Sequence, residues 1–383
     1  MRIFLAAGEP SGDRLGAALM AGLRALVPTV EFAGIGGPAM AAEGLESLFP
    51  MEELSVMGLV EVLPKYRHLM RRIEETAQAA LRLAPDAVIT IDSPDFGLRV
   101  AARIKAQRPD LLTVHYVAPS VWAWRPGRAA KMARVIDHVL AILPFEPPYM
   151  RAAGMSCDFV GHPVVAEPQA TQAEQAAFRD RVGGPFLLVL PGSRRGEVAR
   201  LAPTFGAVLG RLAEGRPGLR AVVPTVRGVA PLVAELTAGW PVAPLVLEPG
   251  DTAGKRAAFG AAEAALAASG TVSLELAAAD TPMVIAYRFQ WLSWQIMKRM
   301  IRVDTATLVN LVSETRAVPE FIAGNCRPEL IAPAVARLLA GEAGGQREAM
   351  RLTMERLGRG GEPPGLRAAR SVLARMGGRL AAG

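Results

Sequence analysis

The chain has 383 residues, about half of them hydrophobic, and a formal net charge of +7. This length predicts two domains, with enough apolar material for two cores. No apolar run approaches the roughly 18–20 residues of a membrane-spanning helix, and the N-terminus lacks the features of a signal peptide. We therefore expect an unprocessed cytoplasmic protein. Its basic balance suits a nucleic acid, an anionic membrane or a phosphorylated substrate.

The metal-binding and nucleic-acid-binding classes are both disfavoured. Cys157 and Cys326 lie far apart, and the four histidines are scattered, so neither a zinc cluster nor a disulfide framework is expected. The basic residues do not gather with aromatic residues into a recognisable nucleic-acid-binding module.

Short apolar runs alternate with amphipathic stretches in the first half of the chain. This alternation predicts an α/β domain with a parallel sheet and helices on both faces. The predicted strands are Ile3–Ala7, Val30–Ala33, Ala87–Ile91, Leu112–Tyr116, Val139–Leu143 and Asp158–Val160. The predicted helices are Asp13–Leu26, Arg67–Leu83, Phe96–Ala106 and Ala129–Ile136.

The same pattern restarts after a polar, alanine-rich segment. We predict a first domain over 1–165, a linker with a short helix over 166–184, a second domain over 185–345 and a basic helical tail over 346–383 that can pack back on the first domain. The strands predicted in the second half are Phe186–Leu190, Ala221–Pro224, Pro244–Leu247, Ala264–Ala267 and Met283–Ala286. The helices predicted there are Glu197–Glu214, Val229–Ala238, Lys255–Gly260, Val272–Ala279 and Pro328–Leu339.

Two segments of the first domain lie where open α/β sheets bind ligands, at the carboxyl ends of strands. In Ala7–Asp13, glycines allow close approach of the backbone and Ser11 can cap the helix, although a plain tight turn has the same composition. In Ile89–Phe96 an apolar run ends in Asp92, which suits a general base at the floor of a cleft. Asp95 is better suited to capping the following helix.

A third segment of this domain, His115–Arg125, places two tryptophans two residues apart beside Arg125. In an extended segment, Trp122 and Trp124 share one face. They can line an acceptor pocket or belong to the core, and composition favours the core.

The second domain carries two turns suited to a diphosphate. Leu187–Glu197 reads as a strand, a Gly/Ser turn and two arginines before a helix, where Arg194 can fork onto phosphate oxygens. In Ala268–Glu275, a second hydroxyl-rich turn offers groups for a diphosphate, and Glu275 suits ribose hydroxyls; a capping turn is the alternative. Such sites would absorb the charge of a leaving nucleoside diphosphate without a metal.

These segments closely resemble, in order, the motifs of the lipid-A-disaccharide synthase family. The resemblance runs from Arg2 to about Pro328, and the run Pro119–Arg125 followed by Leu190–Arg194 is its most specific part. The other matching segments are Gly34–Pro38, Met57–Gly58, Leu143–Glu146, Phe159–Pro163 and Asn310–Leu311.

The resemblance implies a GT-B fold, with two Rossmann-like domains whose parallel sheets face across a cleft, and an inverting glycosyl transfer. The implied donor is UDP-2,3-diacylglucosamine, the acceptor is 2,3-diacylglucosamine 1-phosphate (lipid X), and the products are the β-1,6-linked lipid A disaccharide 1-phosphate and UDP. Asp92 is then the candidate base. The implied nucleotide side comprises Ser193, Arg194, Ser269, Gly270, Thr271, Glu275 and Asn310. The implied acceptor side comprises Glu9, Ser11, Gly12, Asp13, Trp122 and Arg125.

Acylated substrates also imply a peripheral protein on the cytoplasmic face of the inner membrane. The stretch Val56–Arg72 mixes apolar residues with bases, as do segments that lie among lipid headgroups, although a helix facing the core has the same pattern. Its permanent cations are Lys65, Arg67, Arg71 and Arg72. A second candidate is Phe289–Arg302. We hypothesise that the first segment contacts lipid; the oligomeric state is left open.

Other functions fit the residues less well. Gly34–Ala39 matches a dinucleotide-binding fingerprint, but it follows the second strand and Pro38 interrupts the helix start. Gly250–Arg256 has one residue too few for a P-loop, and Asp92 and Asp95 are too close in sequence to span a sugar easily as a hydrolase pair. A UDP-sugar epimerase, another glycosyltransferase or a peripheral membrane protein that binds sugar nucleotides without turnover remain the alternatives.

Overall fold

The computed structural model describes residues 1–54, 59–290, 295 and 300–380, with the backbone alone for residues 59–65 and 378–380. The chain forms two compact units. The first comprises Met1–Ala166 together with Gly360–Gly383, and the second comprises Glu167–Arg359. Each unit is an α/β layer structure around its own parallel sheet.

The first unit contains a six-stranded sheet in the order β2-β1-β3-β4-β5-β6, in which all neighbouring strands pair in parallel. Its strands are β1 (Arg2–Ala7), β2 (Glu31–Ile35), β3 (Ala87–Ile91), β4 (Leu112–Tyr116), β5 (His138–Ala141) and β6 (Ser156–Phe159). Its helices are α1 (Pro10–Leu26), α2 (Pro38–Ala42), α3 (Leu59–Leu83), α4 (Pro94–Gln107), α5 (Gly127–Met132), α6 (Pro147–Ala152) and the C-terminal α15 (Pro364–Leu380), with 3₁₀ turns at Met51–Leu54 and Pro163–Ala166.

The second unit repeats this architecture in the order β12-β11-β10-β7-β8-β9, again with parallel pairing throughout. Its strands are β7 (Leu187–Leu190), β8 (Ala221–Pro224), β9 (Leu245–Leu247), β10 (Ala264–Ala268), β11 (Met283–Tyr287) and β12 (Glu320–Ile322). Its helices are α7 (Gln172–Val182), α8 (Arg195–Gly215), α9 (Ala230–Thr237), α10 (Thr252–Ala261), α11 (Val272–Ala278), α12 (Leu308–Ser313), α13 (Pro328–Leu339) and α14 (Gly344–Arg356), with a 3₁₀ turn at Ala323–Asn325.

The central strands are buried on both faces because helices cover both sides of each sheet. Every residue of β3, β4 and β10 is buried. Strand register then positions the ligand-binding turns. Ala7 pairs with Ile91, which brings the turns after β1 and β3 together, and Ala267 pairs with Leu190, which does the same for β10 and β7.

The linker belongs to the second unit, whereas the tail is divided between the two units. The linker forms the three-turn helix α7 of the second unit, which packs against α10. The tail divides after α14, which packs against α11 and α12, whereas α15 packs against α1. Among the described helices, none is long and apolar enough to cross a bilayer.

Candidate active site

A cavity of about 430 Å³ lies at the carboxyl ends of β7 and β10 in the second unit. Both diphosphate-binding turns predicted from the sequence line it, including Ser193, Arg194, Ser269, Gly270, Thr271 and Glu275. The parallel β7–β10 pairing explains this convergence, because carboxyl ends of neighbouring parallel strands meet at one edge of the sheet.

The turn after β7 is shaped by Gly192 and held by Glu197. Gly192 has a φ of +118°, and a Cβ atom there would lie 2.7 Å from the Cβ of Glu197. Glu197 is buried, accepts a hydrogen bond from Ser193 N at 3.3 Å, and pairs with Arg194 Nη1 at 3.2 Å. The guanidinium of Arg194 therefore has one fixed partner while 65% of its side chain stays exposed.

The turn after β10 is held by hydrogen bonds from two serine hydroxyls. Gly270 has a φ of +154°, Ser273 Oγ donates to its carbonyl at 2.9 Å, and Ser269 Oγ donates to Ala306 O at 2.9 Å. The hydroxyl of Ser269 thus ties the turn to the segment before α12, and its oxygen is left to accept a hydrogen bond from a ligand.

Lys255 and Phe259, on α10, line the cavity and were missed by the sequence analysis. Lys255 Nζ lies 2.6 Å from Glu275 Oε2 and 5.0 Å from the centre of the Phe259 ring. The ammonium group places a second cation in a cavity that already contains Arg194. The sequence does indicate the start of α10, because Asp251 is suited to cap a helix. In the structure its carboxylate accepts a hydrogen bond from Gly254 N.

The buried side chain of Asn310 is held by hydrogen bonds to the surrounding chain. It is 1% exposed; its amide donates to Val318 O and Glu320 Oε1, and its carbonyl oxygen accepts from Val318 N. Glu320 also accepts from Ala306 N, the residue whose carbonyl holds Ser269. The structure therefore places Asn310 in the scaffold that supports the cavity, whereas the resemblance implied a place among the nucleotide-binding residues.

Asp92 lies at the carboxyl end of β3 in the first unit, with both carboxylate oxygens oriented. Ser11 Oγ donates to Oδ2 at 2.8 Å and Ser93 N donates to Oδ1 at 2.9 Å. Asp92 and Ser93 have φ values of +53° and +40°, a left-handed backbone that non-glycine residues rarely adopt. The predicted base is thus held at the edge of the sheet by its neighbours.

The start of α1 approaches this carboxylate closely. A Cβ atom on Gly12 would lie 3.2 Å from Ile91 O and 3.5 Å from the Cβ of Asp92. Glu9 is the N-cap residue of α1 and its carbonyl accepts from Asp13 N at 2.9 Å. Gly12 and Ser11 therefore lie beside Asp92.

Asp13 has a different role from the one implied. It is 4% exposed, and its carboxylate accepts hydrogen bonds from the backbone N–H groups of Gly37, Ala39 and Met40. Three donors at the start of α2 occupy both oxygens, as an N-terminal cap does. Asp13 joins α1 to α2 and is not presented to a substrate.

Trp122 and Trp124 point into different surroundings because Pro119–Arg125 forms turns and is not extended. Trp122 packs edge-on against Phe145 at 5.0 Å, and its Nε1 donates to Glu146 Oε1 at 3.3 Å. Burial raises the pKa of Glu146 to about 7. Trp124 instead lies against the guanidinium of Arg125, 4.3 Å from the ring centre.

The buried histidine His115, on the strand next to the one that ends at Asp92, belongs to the core. His115 Nδ1 lies 2.7 Å from Thr90 Oγ1, and its Nε2 has no hydrogen-bond partner in the part of the chain that the structure describes. Burial lowers the pKa of His115 to about 4, although the Asp92 charge opposes this shift. The imidazole is therefore neutral at pH 7.

The predicted lipid-contacting segments lie partly outside the described residues, namely 56–58 of the first and 291–294 and 296–299 of the second. Within the first, Arg72 is only 18% exposed, forms ion pairs with Glu53 and Glu75, and lies 4.3 Å from the Phe49 ring centre. Arg72 thus anchors α3 and is not free for headgroups, whereas Arg67 and Arg71 are exposed.

Within the described residues there is no group of three or more His, Cys, Asp or Glu side chains arranged to hold a metal ion.

A family profile and two similar proteins carry the same description. A profile described as lipid-A-disaccharide synthetase matches residues 3–362. The lipid-A-disaccharide synthase of Ruegeria pomeroyi is 65% identical, with 99% of this chain and 96% of that protein aligned. The lipid-A-disaccharide synthase of Rhodospirillum centenum is 52% identical over 97% of this chain and 94% of its own length.

Solved structures show the same fold at low identity. The UDP-GlcNAc 2-epimerase of Neisseria meningitidis, bound to UDP-GlcNAc, has a TM-score of 0.65 and 11% identity, covering 98% of this chain and 99% of that one. MurG of Acinetobacter baumannii has a TM-score of 0.53 and 13% identity, with the same coverage. These neighbours establish a GT-B fold.

Proposed function

The chain belongs to the lipid-A-disaccharide synthase family, and we propose that it joins UDP-2,3-diacylglucosamine to lipid X by an inverting transfer. It is a glycosyltransferase of lipid A biosynthesis. The observation that carries the finer proposal is the oriented carboxylate of Asp92, whose two oxygens each accept one hydrogen bond. A carboxylate fixed in this way suits proton abstraction from an acceptor hydroxyl.

In the proposed reaction, the acceptor's 6-hydroxyl oxygen attacks the anomeric carbon of the donor with inversion. Its proton passes to Asp92, a new β-1,6 glycosidic bond forms, and the bond between the anomeric carbon and the diphosphate breaks with its electron pair going to UDP. Arg194 and Lys255, both in the cavity of the second unit, supply positive charge to the departing diphosphate. We propose that this charge makes a metal ion unnecessary.

The remaining predicted site residues keep supporting roles in this proposal. Ser193, Ser269, Gly270 and Thr271 contact the diphosphate, and Glu275, paired with Lys255, faces the ribose. Ser11 and Gly12 shape the acceptor side around Asp92, next to the N-cap residue Glu9.

The test is turnover of UDP-2,3-diacylglucosamine with lipid X in detergent micelles containing EDTA, following UDP and disaccharide together. Asp92→Asn should lower turnover by roughly 10²–10⁴-fold, because the amide cannot accept the proton. UDP binding should be unchanged. Asp110→Asn, at an exposed position of the same unit, is the matched control and should stay within about twofold.

Near-normal turnover of Asp92→Asn would move the base to another residue. UDP release without disaccharide would indicate a different acceptor or hydrolysis. An activity that requires added divalent metal would contradict the metal-free part of the proposal.

We also propose that the protein works on the inner-membrane surface, where its acylated substrates reside. Arg67 and Arg71 of α3 are exposed cations suited to anionic headgroups. Loss of vesicle binding in Arg67→Glu/Arg71→Glu would support this placement, and unchanged binding to anionic vesicles would contradict it.

A further inference from the structure

The first unit also has a concave surface to which the reaction steps described above assign no group, although the resemblance implied an acceptor-side place for Arg125. It is a basin of about 740 Å³ lined by Trp124, Arg125, Arg128, Lys131, Asp95 and Leu98. Three cations and one carboxylate give it a net positive charge. We call this surface the basic basin.

Two cations of the basic basin, Arg125 and Arg128, have contacts that do not strongly neutralise their charge. The contact between Arg128 Nη2 and Asp95 Oδ1 is long, at 3.7 Å, and the Asp95 side chain is 97% exposed. Such an exposed pair contributes little to stability and is easily exchanged for a better anion. Arg125 rests on the indole of Trp124, an arrangement that orients a guanidinium without neutralising its charge.

The backbone at Arg125 is also held in an uncommon conformation. Its φ is +50°, immediately before Pro126, in a region that residues other than glycine rarely adopt. Strained backbone of this kind persists where the surroundings fix it, and it aims the guanidinium over Trp124 into the basin.

We infer that the basic basin binds a lipid-borne phosphate group, with Arg125, Arg128 and Lys131 as its partners. A phosphate monoester has three terminal oxygens and nearly two negative charges, and so matches three separate cations better than a single carboxylate does. The basin is larger than a phosphate needs, and the faces of Trp124 and Leu98 suit an attached sugar ring.

The position of the basin favours the glycosyl acceptor as the source of that phosphate. Asp95 on its wall follows the proposed base, Asp92, by three residues at the start of α4. This assignment rests on the proposed function, in which the acceptor carries a 1-phosphate. The headgroup of a bulk anionic phospholipid is the other source of a lipid-borne phosphate, although its phosphodiester has only two free oxygens and one negative charge.

The test is equilibrium binding of lipid X, and of 2,3-diacylglucosamine lacking the phosphate, in nonionic micelles without donor. Arg128→Ala and Lys131→Ala should each weaken binding of lipid X by roughly tenfold, since each removes a charged hydrogen-bond donor. Binding of the dephosphorylated lipid should hardly change, which also shows that the unit is folded. Arg82→Ala, an exposed cation at the C-terminal end of α3, is the control.

A second arm compares flotation with phosphatidylglycerol and phosphatidylcholine vesicles. A loss confined to phosphatidylglycerol, with unchanged preference for lipid X, supports phosphate binding and identifies the phospholipid as its source. Equal behaviour of both variants and Arg82→Ala in both arms would overturn the inference. Binding is measured without donor, so it does not depend on the transfer reaction. A failure of the proposed reaction can therefore be distinguished from a failure of phosphate binding.

Discussion

Neighbouring residues of one sequence motif have different roles in this protein: one orients a proposed catalytic group and the other supports the fold. Ser11 and Asp13 lie two residues apart on the first turn of α1. Ser11 orients the carboxylate of Asp92, whereas Asp13 points away and caps α2. A helix turns by about 100° per residue, so neighbours on one motif face different surroundings. The motif itself could not distinguish them.

Glu146 is a buried carboxyl whose titration should be visible in stability. Burial raises its pKa to about 7, and hydrogen bonds from Leu143 N and Trp122 Nε1 oppose that shift only in part. The unfolded chain has the ordinary value of 4.5, so the folded state binds more protons between these limits. The contribution of Glu146 to stability is therefore present at low pH and lost as the pH rises through about 7.

We expect Glu146→Gln to remove this dependence. The free energy of unfolding of the variant, minus that of the unsubstituted protein, should rise by about 1–3 kcal/mol between pH 5 and pH 8. Urea unfolding followed by circular dichroism measures it. His115 and His162, whose pKa values burial lowers to about 4, titrate in both proteins and cancel in the difference. A difference as flat as that of the exposed control Glu31→Gln would show that Glu146 is ionised throughout.

At the scale of elements, the β/α pattern predicted most strands and helices with boundary shifts of a few residues. Ala87–Ile91, Leu112–Tyr116 and Ala221–Pro224 are strands with the predicted bounds. The first ends directly before Asp92 and the third ends at Pro224, and such residues mark a strand end in the sequence. The strand β12 was missed because it has three residues, all only partly buried.

Much of the candidate site was also accessible from sequence, for a related reason. The turns after β3, β7 and β10 can be identified in the sequence because glycine, serine or charged residues directly follow an apolar run. Lys255 and Phe259 were not accessible in this way, since they lie within α10 and reach the cavity only through packing of that helix. The support role of Asn310 likewise depends on Glu320 and Val318, which the fold brings to it.

The turn after β7 provides a prediction for an element. Gly192→Ala places a Cβ atom in a left-handed backbone, against the Cβ of Glu197. The strain displaces Glu197, which holds Ser193 N and Arg194. We expect UDP to bind roughly tenfold more weakly, by titration calorimetry, because a strained residue of this kind costs about 1–3 kcal/mol.

Gly239→Ala is the matched control for this turn, since a Cβ atom there meets open space. Unchanged UDP affinity in Gly192→Ala would mean that the turn adjusts without cost and that its conformation does not set nucleotide binding.

For the whole molecule, the last helix of the chain belongs to the first unit. The core of that unit includes Ala368, Ala369 and Val372 of α15 together with Leu19 and Leu23 of α1. The chain therefore leaves the first unit, builds the second and returns to complete the first. The stability of the first unit thus depends on contacts made by residues more than 300 positions apart.

The packing of α15 on α1 is most sensitive to substitution at Gly22 and Gly365, where the two helix backbones approach closely. A Cβ atom on Gly22 would lie 2.6 Å from Gly365 O, and backbone cannot move aside as a flexible side chain does. We expect Gly22→Ala to destabilise the first unit by about 1–3 kcal/mol despite the better helix propensity of alanine. Gly377→Ala, on α15 with nothing near its Cβ position, should be neutral or slightly stabilising.

Thermal unfolding with and without UDP assigns these effects to a unit. A ligand that binds one folded unit stabilises that unit by about 2.7 kcal/mol at a concentration 100 times its Kd. The cavity proposed to bind UDP is lined by residues of the second unit. UDP should therefore raise the temperature of a transition that Gly22→Ala leaves unchanged, while the variant lowers the temperature of another. If Gly22→Ala and UDP instead moved one common transition, the two units would unfold together, and the helix that closes the first would stabilise the second as well.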